Sequence, residues 1–107
     1  MNFTVSDSAT TDVERTSALY DTKPGRYGAA FENEVDLAFE QIAANPRQYS
    51  PCEDGVAGCE FREYFIERFD QRVIYLVRGN DVLVVAVVHA SRQEGAWQRN
   101  LPEDLIS

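Results

Sequence analysis

The segment from Val82 to Val88 constrains the fold most, because every residue in it is apolar. It is far shorter than the ~20 residues that a helix needs to cross a bilayer. Its many valines are typical of a strand that is covered on both faces. The tripeptide Gly79-Asn80-Asp81 before it predicts a tight hairpin turn. We therefore predict a β-sheet in which Val82 to His89 is a central strand.

Three more segments are predicted to be strands because apolar and polar residues alternate in them. They run from Asn2 to Ser6, from Glu60 to Arg68 and from Gln71 to Arg78. Together with the central strand they predict a four-stranded sheet whose last three strands form a meander.

Two helices are predicted between the first and second strands. The first has a capping box at Thr11 to Glu14, or starts earlier, near Ser8, and it ends at Lys23-Pro24-Gly25. The second runs from about Arg26 to Ala44 and ends at Asn45-Pro46, because proline cannot continue the hydrogen-bond ladder. Its apolar stripe consists of Tyr27, Phe31, Val35, Ala38 and Ile42.

This order of elements predicts an α+β fold, β-α-α-β-β-β, with a helical hairpin packed on one face of a small, mainly antiparallel four-stranded sheet. The chain has 107 residues, which is enough for one domain, and we assign residues 1–107 to it. Residues 100–107 are either a flexible tail or a short docking element.

The alternation in the strands also predicts which residues share a face of the sheet. We expect one set to lie beneath the helices, namely Phe61, Phe65, Val73, Tyr75 and Val77. The opposite face is then an open apolar patch of Tyr64, Ile66, Ile74 and Leu76 with a rim of Arg62, Arg68, Arg72 and Arg78. Such a patch is typical of a binding surface, so we expect another chain to cover it. The alternative is that the carboxy-terminal segment, residues 93–107, folds back over this face.

The net charge of −8 argues against general or sequence-specific binding of nucleic acid, which needs a positive footprint. All of the ten basic residues except Lys23 are arginine, the side chain best suited to bidentate contacts with carboxylates. Each arginine could be a solvated surface charge, but a rim of them favours a partner with acidic side chains.

Cys52 and Cys59 flank a glycine-containing loop and are most simply free thiols, with a loop disulfide as the alternative. They lack the CxxC spacing and the histidines of a zinc site, so we expect no metal and no cofactor. The amino terminus has no basic start followed by an apolar stretch. We expect a cytoplasmic protein with no membrane partner.

The joint order of these residues resembles the RelE/ParE toxins of bacterial type II toxin–antitoxin systems, and the ParE branch fits better. The resemblance covers about residues 2–99. In the helical half it is carried by Tyr27-Gly28, Phe31, Glu34, Val35, Ala38, Ile42, Asn45-Pro46 and Tyr49. In the strand half it is carried by Phe61-Arg62, Arg68-Phe69, Val73-Ile74-Tyr75, Val85, Val87, His89, Arg92 and Trp97.

The resemblance implies a toxin that is neutralised by a cognate, ParD-like antitoxin in a hetero-oligomer. ParE-type toxins poison DNA gyrase, whereas RelE-type toxins are enzymes that cleave mRNA on the ribosome. A third possibility is a relic that only binds antitoxin. For the first and third, the predicted contact residues are those of the open face with Arg92 and Trp97.

The RelE-like alternative assigns catalysis to Arg62, Arg72, His89 and Arg92. In RelE-like ribonucleases, lysines on the second strand, an arginine opening the third, and an arginine and a tyrosine near the end supply the chemistry. Here Arg62 and Tyr64 stand where the lysines would be, and Trp97 is near the place of the tyrosine. Arginine stays protonated and tryptophan exchanges no useful proton, so this set is incomplete.

Two residues keep two interpretations each. His89 is either a general base or partner contact, or a strand-end histidine hydrogen-bonded to the backbone. Trp97 is either a residue at the edge of the core or an exposed anchor for a partner.

Overall fold

A computed structural model describes residues 2–105 and has the predicted α+β architecture. Two helices, α1 (Asp7–Asp21) and α2 (Gly28–Ala44), follow the first strand and precede the other three. The strands are β1 (Phe3–Val5), β2 (Glu60–Ile66), β3 (Gln71–Arg78) and β4 (Asp81–His89). Within the described residues, neither helix is long and apolar enough to cross a membrane.

The four strands form one sheet in the order β1-β4-β3-β2. Strand β1 pairs with β4 in parallel, and the other pairs are antiparallel. The apolar strand β4 therefore lies between two neighbours, which confirms its predicted central place. A β-bulge interrupts the β3–β4 register beside Ile74 and Tyr75.

Helix α1 begins earlier than the predicted capping box. Its N-cap is Ser6, whose hydroxyl accepts a hydrogen bond of 3.1 Å from the amide of Ala9. The capping-box assignment at Thr11 is therefore wrong, and the alternative start near Ser8 is closer. At the turn between the helices, the carboxylate of Asp21 accepts a 2.9 Å hydrogen bond from the amide of Gly28.

The main core lies between the helices and the sheet. Four of the five predicted stripe residues of α2 are buried in it, but Tyr27 precedes the helix and is 47% exposed, so its predicted place in the stripe is wrong. Tyr75 is fully buried, and its hydroxyl donates a 2.6 Å hydrogen bond to the carbonyl of Pro46. This bond ties the end of α2 to the middle of the sheet.

The predicted faces are correct for β3 and wrong for β2. In β3, Val73, Tyr75 and Val77 lie under the helices, while Ile74 and Leu76 lie on the opposite face. The turn at Glu67–Asp70 pairs odd-numbered residues of β2 with even-numbered residues of β3.

Four aromatic and aliphatic residues of β2 therefore lie on the face of the sheet opposite to the predicted one. Phe61 is opposite Leu76 on the far face, and Phe65, on that side too, is 44% exposed. Tyr64 and Ile66 contact the core beneath the helices instead. Arg62 pairs with Tyr75 and so lies on the helix side as well.

The expectation of an open sheet face is wrong, because a second core covers it. Ile74 and Leu76 are 0% and 3% exposed there. The cover comes from the carboxy-terminal segment, as in the alternative prediction, and from the loop before β2. The covering residues are Cys52, Val56, Cys59, Trp97, Leu101 and Leu105. Residues 106 and 107 lie outside the described residues.

Candidate functional site

A charged cluster centred on Arg72 lies at the edge of the second core. Arg72 donates to both carboxylate oxygens of Asp54, at 2.7 and 3.1 Å, and to both of Glu63, at 2.9 and 3.2 Å. The side chain of Asp54 is 5% exposed and that of Arg72 is 15% exposed. The arginine predicted to contact a partner or a phosphate is thus neutralised within the chain.

Asp54 also holds the carboxy-terminal segment in place. Its carboxylate accepts hydrogen bonds from the amide of Gly95, at 2.9 Å, and from the indole of Trp97, at 2.8 Å. Its backbone carbonyl accepts a 2.5 Å hydrogen bond from the side chain of Gln98. One acidic residue therefore joins the loop, β3 and the covering segment.

These contacts set the protonation of the pair. The hydrogen bond from Arg72 holds the pKa of Asp54 well below its ordinary value of 3.8, and hydrogen bonds from Gly95 and Trp97 act in the same direction. The hydrogen bond to Asp54 raises the pKa of Arg72 in return. Both groups stay charged near neutral pH, and Arg72 has no proton to give to a reaction.

The same cluster contains the one group of potential metal ligands in the described chain, Cys52, Asp54 and Glu63, whose ligand atoms lie within 4.8 Å of one another. The guanidinium of Arg72 already bridges the two carboxylates. Burial raises the pKa of the Cys52 thiol to about 12, and the neighbouring Glu63 adds to this shift. A protonated thiol beside an occupied carboxylate pair is a poor metal site. Cys52 and Cys59 are both free thiols in the structure.

Arg62 is bound within the chain as well, but on the helix side. It donates to the carboxylate of Glu60 at 2.8 Å and to the carbonyl of Tyr49 at 2.5 Å. The hydrogen bond from Arg62 lowers the pKa of Glu60, and Arg47 contributes a second ion pair at 3.1 Å. Arg62 thus fastens the segment after α2 to the edge strand.

His89 is an exposed strand-end histidine bonded to the backbone, as the second interpretation predicts. The amide of Ser91 donates to its Nδ1 at 3.1 Å, so the proton of the neutral ring is on Nε2. The hydroxyl of Ser91 lies 2.7 Å from the same nitrogen. In the sheet register His89 is opposite Gln71, on the helix side, whereas Arg72 is opposite Val88, on the other side.

The remaining predicted contact residues divide into exposed and buried ones. Arg68, Arg78 and Arg92 are exposed, Arg68 lying 5.2 Å from the ring centre of Phe69 and Arg78 donating to the carbonyl of Leu105. Trp97 is a core residue, 3% exposed, with its ring centre 5.1 Å from that of Phe61. The buried members cannot contact a partner in this conformation, and they are Ile66, Ile74, Leu76 and Trp97.

Comparison with known proteins identifies the family. A family model described as "ParE toxin of type II toxin-antitoxin system, parDE" matches residues 3–94. A solved structure, "Chromosomal ParDE TA system from P. aeruginosa", superposes with a TM-score of 0.67 at 18% sequence identity, over 83% of this chain and 95% of that chain. Among curated proteins there is no significant match. The structural likeness shows the fold, and the family model spans most of the sequence. The chain therefore belongs to the ParE toxin family of type II toxin–antitoxin systems.

Proposed function

We propose that this protein is a toxin that poisons DNA gyrase in the cytoplasm and is neutralised by a ParD-like antitoxin. Its membership of the ParE toxin family supports an antitoxin partner. On this proposal it binds an enzyme and is not one itself. The competing proposal is an mRNA endonuclease, which requires its catalytic residues to lie around one phosphate.

One observation carries the proposal: the four residues of the endonuclease alternative do not all share one site. Arg72 lies on the far side of the sheet, bound to Asp54 and Glu63. Arg62 and His89 are on the helix side, and strand β3 separates them. Cleavage of RNA needs a base, an acid and free cations around one phosphate. His89 and Arg92 line one cavity, but Arg72 is bound to two carboxylates on the far side and Arg62 lies across β3, so the four residues do not surround one phosphate.

The overall charge points in the same direction. A net charge of −8 repels the phosphates of ribosomal and messenger RNA. A protein target requires no strong positive field, so an acidic toxin can still approach gyrase. Exposed arginines such as Arg68 and Arg92 remain available for acidic side chains on that target.

Controlled expression in bacterial cells tests the proposal as a whole. We expect growth arrest accompanied by DNA-damage signalling, and rescue when the cognate antitoxin is expressed with the toxin. Arrest with codon-phased cleavage of mRNA and no DNA damage would contradict it in favour of the endonuclease. Overexpression without arrest would contradict it in favour of a relic that only binds antitoxin.

A further inference from the structure

A cavity of about 250 Å³ lies between α1 and the end of β4 and shares Arg92 with the groove beside the Arg72 cluster. It is lined on the helix side by Arg15 and Leu19 and on the sheet side by Gln71, His89 and Arg92. Of its lining residues, the proposed function so far uses only Arg92, as an exposed cation.

Gln71 is the residue that marks the cavity as a binding site. It is 3% exposed, and its side-chain nitrogen donates a 3.0 Å hydrogen bond to the hydroxyl of Tyr20. Its Oε1 has no hydrogen-bond partner among residues 2–105. A buried amide oxygen without a donor carries a desolvation penalty, which a ligand N–H or O–H would remove.

The charges around the cavity indicate which charged group the ligand carries. Within residues 2–105, neither Arg15 nor Arg92 forms an ion pair, and both are exposed. Asp12 lies beside them, and its carboxylate accepts a 3.0 Å hydrogen bond from the amide of Val87. Two cations with one fixed anion leave a small positive excess, which suits a singly charged carboxylate better than a doubly charged phosphate.

The apolar part of the wall completes the description. Leu19, which is 55% exposed, and Val87, which is buried in the main core, both line the cavity. A ligand that fits all of these groups has a carboxylate, a neighbouring hydrogen-bond donor and an apolar body. An acidic residue within a peptide has all three, since its own backbone supplies the N–H.

We infer that this cavity binds an acidic side chain of the antitoxin, with the adjacent peptide N–H donating to Gln71. The inference rests on the proposed function, because it takes the antitoxin to be the bound peptide. The charge complementarity is local, because the cavity is basic although the net charge of the chain is −8.

Titration of the ¹⁵N-labelled full-length chain, freed of antitoxin, tests the site with a defined probe. We expect N-acetylglutamate N-methylamide to shift the backbone amide signals around Gln71 and Arg92 in a saturable way. The glutamine analogue, which lacks the charge, should bind about tenfold more weakly. Equal binding of the two analogues, or tighter binding of inorganic phosphate, would overturn the inference.

Substitutions separate this site from general attraction of anions. Arg92→Gln should lower the affinity for the probe about tenfold, while Arg99→Gln, at an exposed arginine outside the cavity, should leave it unchanged. Gln71→Met should weaken the binding of the probe and leave that of glutarate, which has no amide donor, as it was. An equal effect of Arg92→Gln and Arg99→Gln would overturn the inference.

The complex with antitoxin tests the identity of the bound segment. Once the antitoxin is bound, the probe should no longer shift the signals of the cavity. An unchanged response would overturn the inference even if the antitoxin still rescued growth, so this failure is distinguishable from failure of the proposed function.

Discussion

Arg72 and Asp54 form a bidentate ion pair, with the two terminal nitrogens of the guanidinium 2.7 and 3.1 Å from the two carboxylate oxygens. The pair joins the third strand to the loop before the second strand. Since Asp54 also binds Gly95 and Trp97, the pair holds down the segment that covers the far face of the sheet. Arg72 and Trp97, which the sequence predicted to contact a partner, instead have a structural role.

Substitution of Asp54 should therefore destabilise the fold. Asp54→Asn removes one of the two carboxylates that neutralise a mostly buried Arg72 and weakens the acceptor for Gly95 and Trp97, and we expect the free energy of unfolding to fall by about 1–3 kcal/mol. Urea denaturation measures it. Glu53→Gln, at the exposed neighbouring acid, is the matched control and should change stability by less than about 0.5 kcal/mol. Equal stability of the two variants would contradict the role of Asp54.

The contribution of Asp54 should also depend on pH. Its pKa in the folded protein lies below the ordinary value of 3.8, so the stabilisation is fully present above that value and is lost as the pH falls toward the folded-state pKa. We expect the stability difference between wild type and Asp54→Asn to be constant down to about pH 5 and to shrink below it. Denaturation at a series of pH values measures this, and a difference that grew in acid would contradict it.

The covered far face makes a prediction about Leu76. Leu76→Ala should lower the free energy of unfolding by about 2–5 kcal/mol, because Leu76 is 3% exposed. Leu37→Ala, on the exposed side of α2, should change it by less than about 0.5 kcal/mol. Leu76→Asp and Val77→Asp should both prevent folding, since both positions are buried. A stable, folded Leu76→Asp variant would show that the face is open.

The start of α1 can be tested by removing its cap. Ser6→Ala should lower the free energy of unfolding by about 0.5–2 kcal/mol, because the Ala9 amide loses its acceptor. Thr11→Ala lies inside the helix at an exposed position and should not destabilise the protein, since alanine is the better helix former. A larger loss for Thr11→Ala in thermal denaturation would restore the capping box at Thr11.

The sequence was sufficient to predict the element order and the central strand, because those depend on local patterns. The continuous apolar run of β4 predicts a strand covered on both faces. The spacing of Phe31, Val35, Ala38 and Ile42 predicts one buried face of α2. The faces of β2 could not be predicted in the same way, since aromatic residues occur at both parities, at Phe61 and at Tyr64. Their orientation depends on the turn at Glu67–Asp70, where Asp70 has a φ of 53°.

The charged cluster and the cavity were missed for a different reason. Asp54 is one of two adjacent acids in an irregular loop, and no spacing relates it to Arg72 or Trp97. Gln71 opens an alternating strand, where a polar residue is typically exposed, yet it is 3% exposed. Both residues acquire their roles from contacts distant in sequence, which local periodicity does not encode.

The central claim is tested most directly by adding the purified, antitoxin-free protein to DNA gyrase with plasmid and ATP. Cleaved plasmid is measured after the reaction is stopped with detergent and protease. We predict that cleaved plasmid accumulates with increasing toxin and that prior addition of antitoxin prevents it. No accumulation, with gyrase active in the control reaction, would contradict the claim that this protein poisons gyrase.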